Sequence, residues 1–231
     1  HNLTSGAYNA GFGIQAGYNN KTGIYNHSFG YQAGYYNETG SNNVAVGSQA
    51  LFGASGQSNS NNTAIGHNAL RVVTTGSYNI AIGSNALDAM TSGSSNVGVG
   101  TNALGVMTTG VGNVVMGENS GASLTTEQAN TYIGHNTGRF LDDGASNVAI
   151  GYLSMSGTSG TSGNNALYNV AVGRNSLTNI AIGDHNVAIG YKSGDSMTNG
   201  SYNTIIGSEA FKTADGGESA NVVIGNNAGL N

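Results

Sequence analysis

The sequence predicts an all-β fold, a parallel β-roll or β-solenoid of about thirteen seventeen-residue coils forming a single repeat domain over residues 1–231. Two observations predict it. A segment of the form Asn-x-Ala-Ile/Val-Gly recurs along the chain, usually every 17 residues. Within that segment, bulky and small residues alternate before the glycine, as they do in a short strand. A short unit repeated at one period indicates supersecondary units stacked along one axis.

The leading asparagine defines position 0 of each coil. These residues are Asn9, Asn26, Asn43, Asn62, Asn79, Asn96, Asn113, Asn130, Asn147, Asn169, Asn186, Asn203 and Asn221. Positions 1 to 3 then predict a strand: position 1 is usually β-branched, position 2 mostly small and position 3 always apolar, as in Val44-Ala45-Val46. We expect the position-3 side chains to point into a core and the opposite face to lie against another surface, such as a second chain.

Position 4 is glycine in every coil, which predicts a corner at the end of each strand where positive φ is required. These corner glycines are Gly13, Gly30, Gly47, Gly66, Gly83, Gly100, Gly117, Gly134, Gly151, Gly173, Gly190, Gly207 and Gly225. A second glycine at position 14, such as Gly76 or Gly93, predicts another corner.

The remaining positions predict how the coils hold together. Position 6 is mostly Asn or Gln, and stacked amides can hydrogen-bond from coil to coil. Position 8 is either glycine or a large apolar residue such as Leu87, and position 11 adds apolar residues such as Met90. Seventeen residues enclose a narrow core, and the small residues at positions 2 and 7 favour close packing between chains. We therefore expect a parallel homotrimer.

Composition limits the function classes. The chain carries Lys+Arg 6 against Asp+Glu 11, a net charge of −5, which argues against nucleic acid as a partner. No apolar run reaches the roughly 18 residues of a membrane span, so membrane insertion is not expected. The chain has no Cys and no Pro. Cofactors are not expected. The start at His1 indicates either processing or a piece of a longer protein.

The motifs Asn43-Val-Ala-Val-Gly, Asn62-Thr-Ala-Ile-Gly-His-Asn-Ala-Leu70 and Asn147-Val-Ala-Ile-Gly151 resemble the head repeats of YadA-like trimeric adhesins. The longer unit from Asn62 to Tyr78 is similar to repeats of phage-type tail fibres. The resemblance implies a left-handed parallel β-roll, a trimer and a fibre that binds a host. The repeat is longer than the adhesin head unit, and no heptad stalk, barrel or chaperone domain is expected within this sequence.

Two groups of residues are candidate binding sites. Half of the tyrosines lie in the first 36 residues. Of these, Tyr35 and Tyr36 are candidates to stack on a ligand, or alternatively to close the solenoid end or pack between chains. Position 5 forms a variable row that is either a binding face or simply solvent-exposed. Its candidate members are Tyr31, His67, His135, Tyr152 and Tyr191.

Insertions and sequons add further candidates. Ser55–Asn61 adds two residues to a coil and Met155–Tyr168 adds five, so these loops are either receptor contacts or surface slack. Asn2, Asn20 and Asn37 open N-glycosylation sequons, which chance also produces in an Asn- and Thr-rich chain. Because position 11 is Asn rather than apolar in the N-terminal coils, we expect that corner to be exposed there.

We identify no catalytic motif in the sequence. The histidines fall at unrelated positions of the repeat, and Asp142-Asp143 is a single acidic pair. We expect no enzyme activity and no metal site. The leading hypothesis is a structural and adhesive fibre segment on a cell or virion surface, extracellular, that presents a face to a cell-surface glycan or protein receptor. One alternative is a self-assembling extracellular filament, in which chains would stack head to tail. Another is an ice-binding solenoid, for which the expected outward Thr-x-Thr rows are missing.

Overall fold

The computed structural model describes residues 6–159, 163–212 and 217–229. It divides into two compact units, His1–Asn113 and Val114–Asn231. Both are built from three-residue strands, one per coil, and no described residue lies in a helix. The strands fall on positions 1 to 3 of the repeat, as the sequence predicts.

The first unit contains six strands, β1 to β6. They are Ala10–Phe12, His27–Phe29, Val44–Val46, Thr63–Ile65, Ile80–Ile82 and Val97–Val99. Neighbouring strands within this unit pair in parallel, in a register that places equal repeat positions opposite each other, such as Ala64 against Ala81. An insertion of two residues before Asn62 does not disturb this register.

The second unit contains seven strands, β7 to β13. They are Val114–Met116, Thr131–Ile133, Val148–Ile150, Val170–Val172, Val187–Ile189, Thr204–Ile206 and Val222–Ile224. All neighbours pair in parallel and in register, including Ala149 with Ala171 across the five-residue insertion. The predicted all-β parallel solenoid is therefore confirmed for each unit, whereas the trimer stays a prediction.

The core lies on the opposite side of the strand from the one predicted. The middle residue of β2 to β12, at position 2, is buried, while position 3 is exposed or half-exposed. Ala81, for example, is fully buried and Ile82 is 37% exposed. The assignment of position 3 to the core is therefore wrong. The interior is too narrow for a β-branched residue in every strand, because positions 7, 8 and 11 already fill it.

Positions 2 and 8 compete for the same interior space in several coils. Beside an alanine at position 2, a buried leucine such as Leu87 fills position 8. Where position 2 is Tyr132, position 8 is glycine, and a Cβ on Gly138 would lie 2.2 Å from the tyrosine ring. Neighbouring coils compete in the same way: a Cβ on Gly194 would lie 3.0 Å from Cδ1 of Ile205 in the next coil, as expected of a closely packed interior.

Positions 4 and 14 are glycine for different structural reasons. Gly83, at position 4, has φ of +130°, and an added Cβ would also lie 2.6 Å from the carbonyl of Gly100 in the next coil. The prediction of positive φ at this corner is confirmed. Gly93, at position 14, is not left-handed, but an added Cβ would lie 2.4 Å from the carbonyl oxygen of Gly110. Position 14 is therefore glycine because the next coil approaches so closely.

Side chains other than glycine also occupy left-handed turns in every coil. Positions 6, 8 and 16 take positive φ, as in Asn85 (55°), Leu87 (51°) and Tyr78 (61°). Asparagine tolerates this region well. A leucine there costs about 1–2 kcal/mol, which the burial of its side chain, at about 1.5–3 kcal/mol, offsets.

Candidate functional site

A ladder of buried asparagines at position 0 holds the coils in register, and every surface column depends on it. The side chain of Asn79 donates from Nδ2 to the carbonyl of Gly93, 2.8 Å away. Its Oδ1 accepts from the backbone N–H of Asn96 at 3.0 Å and from Asn96 Nδ2 at 3.1 Å. In the second unit Asn186 repeats the pattern, bonding Gly200 and accepting from Asn203.

Sequence reasoning missed this ladder, placing the stacked amides at position 6 instead. The position-6 column does form in the first unit, where Gln32 donates to Gln15 at 2.8 Å and Gln49 donates to Gln32 at 3.2 Å. That prediction is confirmed there. The signal for the buried ladder was the asparagine itself, present in every coil just before the strand.

Each unit exposes an apolar strand face, formed by the side chains at positions 1 and 3. In the first unit, Ile65 and Ile82 of this face are 38% and 37% exposed. In the second, Ile150 and Ile189 are 38% and 40% exposed. Apolar rows with one side chain per coil are unusual on a solvent-facing surface and are typical of interaction sites.

The position-5 candidates of the first unit are exposed but isolated. Tyr31 is 48% exposed and His67 is exposed, and Ser48 occupies the coil between them. Neither makes a ring contact with another residue in the described parts of the chain. The structure does not bring them together into a site.

The position-5 candidates of the second unit do come together. His135 stacks on Tyr152 with ring centroids 5.5 Å apart and planes 6° apart. On the next coil the guanidinium carbon of Arg174 lies 5.4 Å from the Tyr152 centroid. Tyr191 follows, with Lys192 Nζ 5.6 Å from its centroid. The column ends at Glu118, whose carboxylate lies 3.9 Å from His135 Nε2.

Sequence reasoning named His135, Tyr152 and Tyr191 but missed Arg174 and Lys192. The repeat register was sufficient to find Arg174, because it is the position-5 residue of the coil between Tyr152 and Tyr191. Lys192 stands at position 6, where its φ of 52° is the left-handed conformation that most other coils give to Asn or Gln.

Tyr35 and Tyr36 belong to an aromatic cluster in the wall of the first unit. Tyr35 stacks between Tyr18, at 5.5 Å, and Phe52, at 5.3 Å. Tyr36 packs edge-on against Tyr35 and Phe52 at 4.5 and 5.1 Å. Both tyrosines are half-buried. The arrangement favours the packing role for these two residues over the ligand-stacking role.

The sequons at Asn20 and Asn37 point inward. Asn20 is 4% exposed and Asn37 is 3% exposed. The amide of Asn37 donates to Asn26 and to the carbonyl of Gly40. The expectation that position 11 is an exposed corner in these coils is therefore wrong, and the folded coil has no room for a glycan at either side chain. Asn2 lies outside the described residues.

Both inserted loops are tied to the preceding coil by a carboxylate at position 12. Glu38 accepts from the backbone of Gly56 at 3.1 Å and pairs with Lys21 at 2.6 Å. The Lys21 ammonium and the Gly56 N–H hold the pKa of the Glu38 carboxyl below its ordinary value. Asp142 accepts in the same way from Gly163 and Asn164 of the second loop, at 3.1 and 2.7 Å. Asp142, which belongs to an acidic pair that is isolated in the sequence, thus holds backbone groups of the second loop.

The first coils have an open cavity, lined by small and polar residues, instead of an apolar core. Its volume is about 270 Å³, and its lining includes Gly11, Gly17, Asn20 and Ser28. Because positions 2 and 8 are both small in these coils, neither fills the interior. The Oδ1 atom of Asn20 is buried and accepts no hydrogen bond from any residue that the structure describes.

Tyr132 is a titratable side chain that lies fully buried in the interior. Burial raises the pKa of Tyr132, so its phenol stays protonated and donates to Asn130 Oδ1 at 3.3 Å. Among the described residues, no three His, Asp or Glu side chains are grouped so that they could hold a metal ion. Nor does the described part of the chain include a helix long and apolar enough to cross a membrane.

Comparison with known proteins gives no further assignment. No protein-family model, no curated protein and no solved structure matches the chain.

Proposed function

We propose that this chain is a segment of a structural and adhesive fibre, in which parallel copies associate through their strand faces and present the position-5 columns to a receptor. The single observation that carries the proposal is the exposed apolar strand face. Position 3 is apolar in every coil. Yet the position-3 side chains, such as Ile82 and Ile150, lie outside the core.

A second copy of the same chain is the partner that best fits this face. The strand face repeats once per coil, and another copy is the one surface that carries the same spacing over the same length. Cyclic symmetry closes such an association without leaving an open apolar face, and the resemblance to YadA-like adhesins and phage-type tail fibres favours three copies. Covering the face removes apolar area from water, at about 25 cal/mol per Å².

The rest of the proposal follows from this association. A bundle of solenoids displays repeated columns of side chains rather than converts a substrate, so the proposal includes no catalytic step, cofactor or nucleic acid. It places the chain outside the cell, on a cell or virion surface, where a fibre can reach a cell-surface glycan or protein receptor.

Sedimentation analysis of a matched pair of variants tests the association. Ile82 and Val106 are both exposed apolar residues of the first unit, 37% and 47% exposed, but only Ile82 lies on the strand face. We expect the wild-type chain to sediment at three chain masses, Ile82→Asp to shift toward the monomer, and Val106→Asp to remain assembled. A wild-type monomer at all concentrations, or equal effects of the two variants, would reject the proposal.

A further inference from the structure

The column of polar side chains in the second unit has a chemistry that the fibre role alone does not require. It consists of His135, Tyr152, Arg174, Tyr191 and Lys192, which together are called the donor column. Successive backbone bonds keep the coils aligned: Asn175 donates to the Tyr152 carbonyl at 3.0 Å, and Lys192 donates to the Arg174 carbonyl at 2.9 Å. The four coils that carry it span about 15 Å, at about 4.8 Å per coil.

Stacking orients these side chains so that their hydrogen-bonding edges stay free. One face of the Tyr152 ring meets His135, and the guanidinium carbon of Arg174 lies over the same ring, 5.4 Å from its centroid. A guanidinium held over an aromatic ring by cation–π attraction keeps N–H groups available for an anion. The phenol and imidazole edges are also solvent-accessible, because Tyr152 is 45% exposed and the His135 side chain 42%.

Within the described part of the chain, the two cations of the donor column take no part in an ion pair. Of the six Lys and Arg residues, Lys21, Arg71 and Lys212 form ion pairs with carboxylates. Arg174 and Lys192 form none with any residue in the described ranges. Lys192 does act on the carboxyl of Asp195 in its own coil: burial raises the pKa of Asp195, and the charge of Lys192 partly opposes that shift. Arg174 is therefore the main candidate to bind an anion in this column. In a chain of net charge −5, two such cations beside two tyrosines are a local exception.

We propose that the donor column binds an acidic oligosaccharide, with the carboxylate or sulfate of the sugar on Arg174 and its hydroxyl groups on the edges of Tyr152, His135 and Tyr191. This assignment rests on the proposed function, whose glycan-binding surface it locates and whose ligand class it names. A linear sugar carries acceptors along its length, which suits donor side chains placed on successive coils. The preset orientation of the stacked groups lowers the entropy lost on binding.

Glu118 sets the direction of the bound sugar. Its carboxylate lies beside His135 at one end of the donor column and repels an anion placed there. The acidic group of the ligand is therefore held away from His135, at Arg174.

The repeat itself supplies variants that remove the donor column without disturbing the coil. Position 5 is serine at Ser84 and Ser208 and threonine at Thr101, so Tyr152→Ser and Arg174→Thr introduce residues that the same backbone already accepts. Arg139→Thr is the matched control. Arg139 also lies over a ring, 4.9 Å from the Phe140 centroid, but at position 9, where Thr178 stands in a later coil.

Calorimetric titration of the full chain with four size-matched probes tests the assignment. The probes are an oligogalacturonate, its neutral methyl ester, a sulfated heparin-derived oligosaccharide and an oligoglutamate peptide. We expect one or both acidic sugars to bind and the ester to bind at least tenfold more weakly. Arg174→Thr is expected to weaken binding about tenfold or more, because it removes a charge-assisted hydrogen bond, and Arg139→Thr should leave binding unchanged. The two acidic sugars distinguish carboxylate from sulfate as the recognised group.

Three results would overturn the assignment: no binding of either acidic sugar, equal binding of acid and ester, or equal losses in Arg174→Thr and Arg139→Thr. Tighter binding of the oligoglutamate would identify an acidic peptide instead and also reject it. Sedimentation of the same samples separates this failure from failure of the fibre. A trimer that binds no sugar contradicts the donor column alone, and a monomer that binds sugar contradicts the association alone.

Discussion

The coils that begin at Asn26 and Asn79, both in the first unit, share one hydrogen-bond frame but have opposite interiors. Each leading asparagine donates to the next position-14 carbonyl at 2.8 Å and accepts from the following asparagine. Inside the frame, the Asn79 coil is filled by Leu87 and Met90, whereas the Asn26 coil has Gly34 and Asn37 at the same positions. The comparison shows that the ladder, rather than the apolar core, is the constant element of this fold.

The largest effect is expected from breaking the ladder itself. Asn79→Ala leaves the Gly93 carbonyl and the Asn96 N–H buried without this partner. Each of these two groups costs about 1–3 kcal/mol, so we expect the free energy of unfolding to fall by about 2–6 kcal/mol. Urea unfolding at fixed protein concentration measures the change.

The matching change at Asn26 then tests the comparison. If the ladder is equally important in both regions, Asn26→Ala destabilises its coil comparably, as measured by hydrogen exchange of the local amides. Little loss of protection at Asn26 would mean that the ladder stabilises only those coils that also have an apolar core.

Removing the core of the filled coil is expected to be the next largest effect. Leu87 is fully buried, and Leu87→Ala should lower the free energy of unfolding by about 2–5 kcal/mol. Alanine keeps Cβ in the left-handed turn, so the change isolates the packing contribution. A loss below about 0.5 kcal/mol in urea unfolding, the range of surface substitutions, would show that the apolar core is dispensable here too.

Filling the polar interior should stabilise the first coils. The combination Ser28→Ala, Gly34→Leu and Asn37→Val reproduces Ala64, Leu70 and Val73 of the Asn62 coil. Ser28→Ala removes the Oγ that would lie 2.5 Å from a Cβ at Gly34, and the Gly40 carbonyl keeps its bond from Asn26. Burial of the added side chains predicts a gain of about 1–3 kcal/mol. An unchanged or lower melting temperature would show that the cavity is required by the surrounding coils.

The smallest expected effect is the pH dependence of the stability that Glu38 contributes by holding the first inserted loop. Because the folded pKa of Glu38 is lowered, its contribution to stability is present above the ordinary value of 4.5 and is lost as the pH falls through the folded pKa. Glu38→Gln removes this contribution at neutral pH. The difference in melting temperature between wild type and variant should therefore shrink as the pH falls from 7 to 3. A constant difference would indicate that the charge of Glu38 does not hold the loop.

The repeat, the strands and the position-4 corners could be predicted from the sequence because each depends on neighbouring residues alone. Val44-Ala45-Val46 alternates, and Gly47 ends the strand, in the sequence as in the structure. The choice of the inner face could not be predicted in this way. Alternation distinguishes two faces but does not say which is covered, and hydrophobicity alone favoured Val46 over Ala45. Only the limited volume between strand and opposite wall selects the alanine.

The candidate site was predictable in part for a related reason. The repeat register aligns His135, Tyr152 and Tyr191 without any knowledge of the fold. It does not reveal that Arg174 stacks on Tyr152, because that contact depends on side-chain rotamers across coils separated by an insertion. At Asn20 and Asn37 the opposite error occurred: polar residues were assigned to the surface, although the loosely filled interior of those coils accommodates them.

The position of the two inserted loops shows where this architecture can accept new sequence. Ser55–Asn61 and Met155–Tyr168 both lengthen the stretch just before position 14, and the strands on either side remain paired without a shift. In each case an acidic residue of the preceding coil, Glu38 or Asp142, accepts a backbone hydrogen bond from the enlarged stretch. We therefore expect that a foreign epitope inserted into this stretch of another coil is displayed without disturbing the strand pairing, provided that Asp or Glu is introduced at position 12 of the preceding coil.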